Sequence, residues 1–172
     1  MTDELLTPRL RLNPVRPDDY ENLCLLHGDE AVMAQMHHGV ETPEQTRATL
    51  ETYGDVWKAK GLGIWIVRNL GDGSFVGECG FRFVDGQAGP GIRFCFLRQY
   101  WGKGFAQEAS RAVIKYAFEV AGFERLFAVS QVSNGNSIRL ISELGYTLIN
   151  DRFEDIEGLH LHELVCPKIK SC

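Results

Sequence analysis

The stretch of chain most equipped for chemistry is Phe96-Leu-Arg-Gln-Tyr-Trp-Gly-Lys-Gly-Phe-Ala106. An alternating apolar run ends there, two glycines flank a lysine, and a long helical pattern starts at Phe105 with no Ser, Thr, Asp or Asn before it to act as a cap. The first N–H groups of such a helix have no partner inside the helix, and the aligned peptide dipoles place partial positive charge on them. Gly102 and Gly104 let the main chain approach a ligand closely, and Lys103 adds a cation. The segment therefore suits an anion such as a pyrophosphate. Glycines used only for turning would leave the missing cap unexplained. A Walker loop would need a hydroxyl where Phe105 stands, which disfavours a magnesium nucleotide, and a dinucleotide fingerprint fails on its glycine spacing.

Other chemistry-bearing residues are sparser. His160-x-His162 places two imidazoles on one face of a strand, and His37-His38 sits in a loop between helices. A metal site needs more ligands at fixed spacing than either pair supplies, so both read as solvated or structural histidines and no metal is expected. Cysteines 24, 79, 95, 166 and 172 are odd in number and contain no Cys-x-x-Cys pair. That argues against a disulfide framework and a zinc knuckle, and for a reducing compartment.

The elements that must position these groups can be read from periodicity. Arg9-Leu10-Arg11-Leu12 alternates and predicts a first strand, broken by Pro14 and Pro17. Helical spacing follows from Asp18, with a second short helix over residues 30–36. Thr42-Pro43-Glu44-Gln45 is a helix start: Thr42 caps, Pro43 fits the first turn, and Gln45 reaches back. That helix should end near Lys60, before Gly61 and Gly63. Strands over 64–67, 75–84 and 92–97, linked by Asn69-Leu-Gly-Asp-Gly-Ser74 and by Asp85-Gly86, predict an antiparallel meander. Phe75, Gly77, Cys79, Phe81 and Phe83 are expected on one face. From residue 105 the apolar positions 105, 109, 112, 113, 116, 117 and 120 form one helical stripe, stopped by Gly122. A strand over 125–130 then implies a parallel pairing with crossover. Asn134 or Asn136 caps another helix ended by Gly145, and strands near 146–153 and 159–165 close the sheet.

The chain has 172 residues, 44% of them hydrophobic, with 18 Lys+Arg against 23 Asp+Glu and a formal charge of −5. Without repeats or linkers, this suits one domain over residues 1–172. Mild acidity disfavours a nucleic-acid partner, and no apolar run is long enough for a membrane span. Acidic residues where an export signal needs basic ones, and a Cys172 lacking the three residues after it that prenylation requires, point to a cytoplasmic protein.

Gln99-x-x-Gly102-x-Gly104 matches the Arg/Gln-x-x-Gly-x-Gly/Ala acetyl-CoA signature of the GNAT N-acetyltransferase superfamily. The fuller string Tyr-Trp-Gly-Lys-Gly-Phe-Ala-Gln-Glu-Ala resembles its RimJ/RimL branch, which acetylates protein N-termini or small amines. The resemblance runs along nearly the whole chain: Thr7-Pro-Arg-Leu-Arg-Leu and Phe75-Val-Gly77 before the signature, Asn134-x-x-Ser137-x-Arg139 and Leu144-Gly-Tyr146 after it.

The resemblance implies an α/β (α+β in some schemes) single-domain fold. Its mixed, mostly antiparallel sheet has about seven strands, with a central splayed parallel pair over 92–97 and 126–131, flanked by helices. Acetyl-CoA would be the cosubstrate, its pantetheine arm bonded to the backbone of Phe94, Phe96 and Leu97. Its pyrophosphate would rest on the loop opened by Gln99, on amides of Gly102, Lys103, Gly104, Phe105 and Ala106. Asn134 would bond the pantetheine arm or cap its helix, and Ser137 would sit near the sulfur or be an ordinary first-turn residue. Two positions depart from the family: Gly91 stands where the branch often has Glu, and Ile141 where many members carry a Tyr general acid. A thiol pKa of about 8.5 softens the second loss, because a departing thiolate needs little protonation.

Glu78 is the base candidate, through a water, because it projects from the strand beside the CoA strand; the competing role is an ion-paired carboxylate, given Arg82 and Arg93 nearby. Glu163 is a second candidate. Without a strong base, an α-amine of pKa about 8 is an easier acceptor than a lysine amine of about 10.4, whose deprotonation near neutral pH costs roughly 4–5 kcal/mol. His37 and His38 would line the acceptor mouth, whereas Trp57 and Trp65 read as core. The protein is thus expected to be an N-acetyltransferase acting on a peptide N-terminus or small amine, as monomer or homodimer. A CoA-sensing or interaction module without turnover, and a nucleotide-phosphate module, are the alternatives.

Overall fold

Residues 64–67 are apolar at every position and all are buried, which a strand satisfies only between two covering layers. The computed structural model, which describes residues 3–36, 38–84, 89–154 and 156–167, has this three-layer arrangement. The strands are β1 (Leu5–Leu6), β2 (Leu10–Pro14), β3 (Ile64–Asn69), β4 (Phe75–Arg82), β5 (Gly91–Phe96), β6 (Arg125–Gln131), β7 (Thr147–Asn150) and β8 (Leu159–Val165). They form one mixed sheet ordered β1-β2-β3-β4-β5-β6-β8-β7, antiparallel throughout except for the β5/β6 pair. There are eight strands where about seven were expected; β1, two residues long, is the addition. The Asp85-Gly86 turn lies outside the described residues.

One face carries helices α1 (Tyr20–His27), α2 (Glu30–Met33) and α3 (Pro43–Lys60). Val15, Leu23, Leu50, Tyr53, Ile64 and Ile66 pack there, beside a second group of Leu26, Val32, Met33 and Cys95. α3 starts as its residues dictate: Thr42 and Gln45 exchange hydrogen bonds with each other's backbone, and Gly61 ends the helix in the left-handed region at φ 63°. The opposite face is covered by α4 (Phe105–Glu119) and α5 (Gly135–Glu143). Phe105, Ala109, Val113 and Ala117 of α4 bury their stripe against Leu10, Leu12, Trp65, Cys79 and Phe81. Trp57 and Trp65 meet edge to face at 4.6 Å and both donate their indole N–H to backbone carbonyls, so both are core residues.

A β-bulge alters one face assignment. Val67 pairs with Gly77 and Arg68 with Phe75, leaving Val76 as the extra residue. Phe75 therefore packs on the α1–α3 side, away from Cys79 and Phe81, and Val76 takes its place under α4. Among the described residues no helix is long and apolar enough to cross a membrane.

Candidate functional site

The groove begins where the parallel pair opens. β5 and β6 are in register at one position, Gly91 with Phe127, supported by the Phe127 N–H donating to the Pro90 carbonyl at 2.9 Å. Beyond that point the strands diverge. Amides along a strand alternate in direction, and the Leu97 N–H donates to Val76 of β4 at 3.0 Å, so the Phe94 and Phe96 N–H groups face the opening. The Leu97 N–H goes to Val76, and its carbonyl accepts from the Tyr100 N–H at 2.9 Å, so of its backbone groups only the carbonyl's second lone pair is open. The Phe96 carbonyl is taken by the Trp101 indole N–H at 2.8 Å, a contact that sequence spacing does not reveal.

The same groove runs into the start of α4. Arg98–Tyr100 form one 3-10 turn, carrying Gln99 on its exposed side. Gly102 and Gly104 then take φ of 72° and 77°, a region that costs other residues about 1–2 kcal/mol. Gly104 is the N-cap of α4 and no side chain caps the helix. The leading N–H groups of Phe105 and Ala106 therefore belong to an uncapped terminus carrying the positive end of a 15-residue helix. The Lys103 ammonium lies 5.7 Å from the Tyr100 ring at the same exposed corner. Amides at the splay form one set of donors, and amides at the helix mouth with one cation form a second, the kind of end that suits an anion.

On the far wall, Asn134 caps α5, its side-chain oxygen accepting from the Ser137 N–H at 3.1 Å; its amide nitrogen is not part of the cap. Ser137 is half-buried in the first turn. Ile141 is 1% exposed in the core with Leu126 and Tyr146, so a hydroxyl could not stand there without repacking.

Glu78 lies under the α1–α3 side, fully buried, in a network that sequence reasoning only half anticipated. Its Oε1 accepts from Arg93 Nε at 2.6 Å and faces His27 Nε2 at 3.2 Å and the Tyr53 hydroxyl at 3.4 Å. Arg82 is not its partner. His27, also fully buried, bonds through Nδ1 to Glu41 at 3.0 Å. Burial alone would raise the Glu78 pKa, but the Arg93 charge and the His27 hydrogen bond outweigh it and hold it at about 2. For His27, burial pulls the pKa down, but hydrogen bonds to Glu41 and Glu78 push it up to about 9. The four groups thus form an alternating chain of two anions and two cations. A carboxylate so held is a weak base and is shut off from solvent; its other oxygen, Oε2, has no hydrogen-bond partner among the described residues. The sequence signal for His27 was its place beside Leu23 and Leu26 on the buried face of α1.

The remaining candidates scatter. Glu163 pairs with Arg125 at 3.1 Å on the outer strands. His162 is buried and its Nε2 lies 2.9 Å from the Ser130 hydroxyl; burial first, then His160, lowers its pKa. No group of three or more metal-ligating side chains occurs among the described residues. His38 is exposed, and His37 lies outside the described residues. An open hollow of about 640 Å³, lined by Asp29, Ala34 and Arg98 among others, adjoins the turn after β5.

Comparison with known proteins agrees with this geometry. Residues 9–147 match the family model of the acetyltransferase (GNAT) domain. The protein YkkB of Bacillus subtilis is 32% identical over 145 residues, covering 83% of this chain and 84% of its own. A GNAT-family acetyltransferase of Bordetella pertussis superposes with a TM-score of 0.81 at 25% identity, over 94% of this chain and 98% of the other. RimL, a ribosomal L7/L12 alpha-N-protein acetyltransferase solved with coenzyme A, superposes at 0.79 with 13% identity, over 94% and 96%. With the family model spanning most of its length, and the splayed strands and uncapped glycine-framed helix in place, this chain belongs to the GNAT acetyltransferase family.

Proposed function

We propose that the protein is an N-acetyltransferase that passes an acetyl group from acetyl-CoA directly to a primary amine. The observation that carries this reading is the pairing of backbone donors facing the splay at Phe94 and Phe96 with the uncapped start of α4 that follows the same strand. It supplies what a pantetheine arm followed by a diphosphate requires, and RimL, of the same fold, binds coenzyme A. Acetyl-CoA brings the acyl group already activated as a thioester. The chain's own work is to hold the thioester against the β5 edge, polarise its carbonyl with backbone N–H groups and admit an uncharged amine. The Asn134 amide would steady the pantetheine arm, and Ser137, one turn on, would offer its hydroxyl to the leaving sulfur.

Glu78 is assigned a narrower part than proton acceptor. Buried and ionised, it is neutralised by Arg93 and His27 and orders both. The amine then deprotonates by ordinary equilibrium, which favours an α-amine or similarly weak base over a lysine side chain. The acceptor class proposed is therefore a peptide N-terminus or small weakly basic amine, and the setting proposed is the cytoplasm.

Isothermal titration with acetyl-CoA, followed by thiol release against N-terminal peptides, amino acids and polyamines, tests the reading. Low-micromolar binding with release on an α-amine supports it, and no binding at high micromolar acetyl-CoA refutes it. Because Ile141 packs in the core where many relatives would carry an acid, a second reading stands beside it: a CoA-sensing module. CoA binding with no thiol release across the whole panel would select that one.

A further inference from the structure

The Thr7-Pro-Arg-Leu-Arg-Leu segment has no part in the reading so far, yet it reaches the diphosphate loop. Glu108, in the first turn of α4, accepts from the Thr7 hydroxyl at 2.6 Å and the Arg9 N–H at 2.9 Å through Oε1, and from Arg9 Nε at 2.7 Å through Oε2. The guanidinium so oriented donates from Nη1 to the Lys103 carbonyl at 2.8 Å and lies 4.5 Å over the Phe105 ring. Its Nη2 flanks Gly104, 3.4 Å from where a Cβ would sit. One arginine thus grips the residues on both sides of Gly104, from the bend just before β2, about a hundred positions away in sequence.

The consequence follows from peptide geometry. No peptide among the described residues is cis, and a trans peptide points its N–H opposite to its carbonyl. Pinning the Lys103 carbonyl toward Arg9 turns the Gly104 N–H the other way, away from the strand side. The next peptide is fixed by the helix itself, since the Gly104 carbonyl accepts from the Glu108 N–H at 3.0 Å, which leaves the Phe105 N–H pointing out of the helix end. A second consequence is electrostatic: Glu108 is a carboxylate at the N-terminal turn of the helix that should receive an anion. The Arg9 charge cancels it there.

We propose that Arg9, oriented by Glu108 and Thr7, is a positioning residue for the diphosphate of acetyl-CoA: it holds the Lys103–Phe105 loop with its amides aimed outward before the ligand arrives, and it neutralises the carboxylate that α4 carries in its own first turn. The proposal rests on the acetyl-CoA reading above and adds the device that pre-organises its anion site. Lysine cannot replace arginine there, because one ammonium cannot serve Glu108, the Lys103 carbonyl and the Phe105 face together.

The test uses the full chain with CoA, inorganic pyrophosphate and pantetheine, which lacks the diphosphate, as calorimetric and competition probes. For Arg9→Met, CoA and pyrophosphate affinity should each fall about tenfold or more, while pantetheine, competed against CoA, should be unchanged. Arg9→Lys should not restore the loss. Arg9→Met combined with Glu108→Gln should recover part of it, because the uncompensated carboxylate is gone; a purely structural role for Arg9 would make the double variant worse. Thermal melts of each variant check folding, and should Arg9→Met not fold, Arg9→Lys with the same three probes carries the test. Equal CoA affinity in wild type and a folded Arg9 variant, or parallel losses for CoA and pantetheine, would overturn the proposal alone. Wild type that binds no CoA would instead remove the reading on which it rests.

Discussion

The His27–Glu78 contact makes stability itself a reporter of the buried network. His27 has a pKa of about 9 in the folded chain against 6.5 for an ordinary histidine, so the folded state binds its proton more tightly. The stabilisation is fully present below pH 6.5 and disappears as pH rises through 9. At about 1.4 kcal/mol for each tenfold in proton affinity, the amount at stake is about 3 kcal/mol. Glu78, held at about 2 against 4.5 by the Arg93 charge first and then by His27, belongs to the same coupled network, so the two figures are not added. Its contribution is present above pH 4.5 and vanishes as pH falls through 2. The contribution of the network to stability is therefore greatest between about pH 4.5 and 6.5, while in the folded chain its charges persist from above about pH 2 to below about pH 9. The perturbation is His27→Gln, which keeps a hydrogen-bonding side chain and removes the charge. Urea unfolding followed by tryptophan fluorescence, from pH 6 to 10, would give wild type a decline of about 3 kcal/mol beyond that of the variant, whose other histidines and cysteines titrate identically. The gap between the two proteins should be widest near pH 6 and close above pH 9. A gap that stays constant across that range would show that His27 is neutral in the fold and that the ion network is misassigned.

Other outcomes follow from the same contacts. Gly104→Val should abolish CoA binding with helix content unchanged by circular dichroism, because φ of 77° is closed to a β-branched residue and the loop must turn its amides away. Asn134→Ala should cost about 1 kcal/mol in chemical unfolding through loss of the α5 cap; Asn134→Asp should keep that stability yet weaken CoA in calorimetry if the amide nitrogen is a ligand contact. Glu78→Gln should destabilise by about 3–5 kcal/mol, since it leaves Arg93 buried without its partner; unchanged urea midpoint with a large loss of turnover would return Glu78 to the role of base.

Much of the scaffold was legible because it rests on local physics. The α3 capping box, the α4 stripe and the Asn134 cap each involve residues within a turn or two of one another, so residue type and spacing suffice. The uncapped start of α4 was legible for the same reason: a missing cap and two glycines are adjacent in the chain. The bulge at Val76 was not, because it needs the register against β3, and it carried Phe75 to the opposite face. The direction of the Leu97 N–H was hidden for a related cause, since only the pairing with β4 shows which way it points.

The charged residues divide along the same line. Glu78, Arg93, His27 and Glu41 come from two strands, one helix and one loop, and nothing in their spacing says that they alternate in sign within one buried cluster. Arg9 and Glu108 are joined across 99 positions in the same way. What the sequence determined alone is the set of elements and the uncapped, glycine-framed helix start, because hydrogen-bonding and hydrophobic periods are properties of neighbouring residues. What the tertiary structure decided is which side chains lose water together, and therefore which carboxylates stay ionised as partners of buried cations and which backbone amides remain for a ligand. Those depend on desolvation and Coulomb energy between distant segments, and they exist only once the sheet has closed.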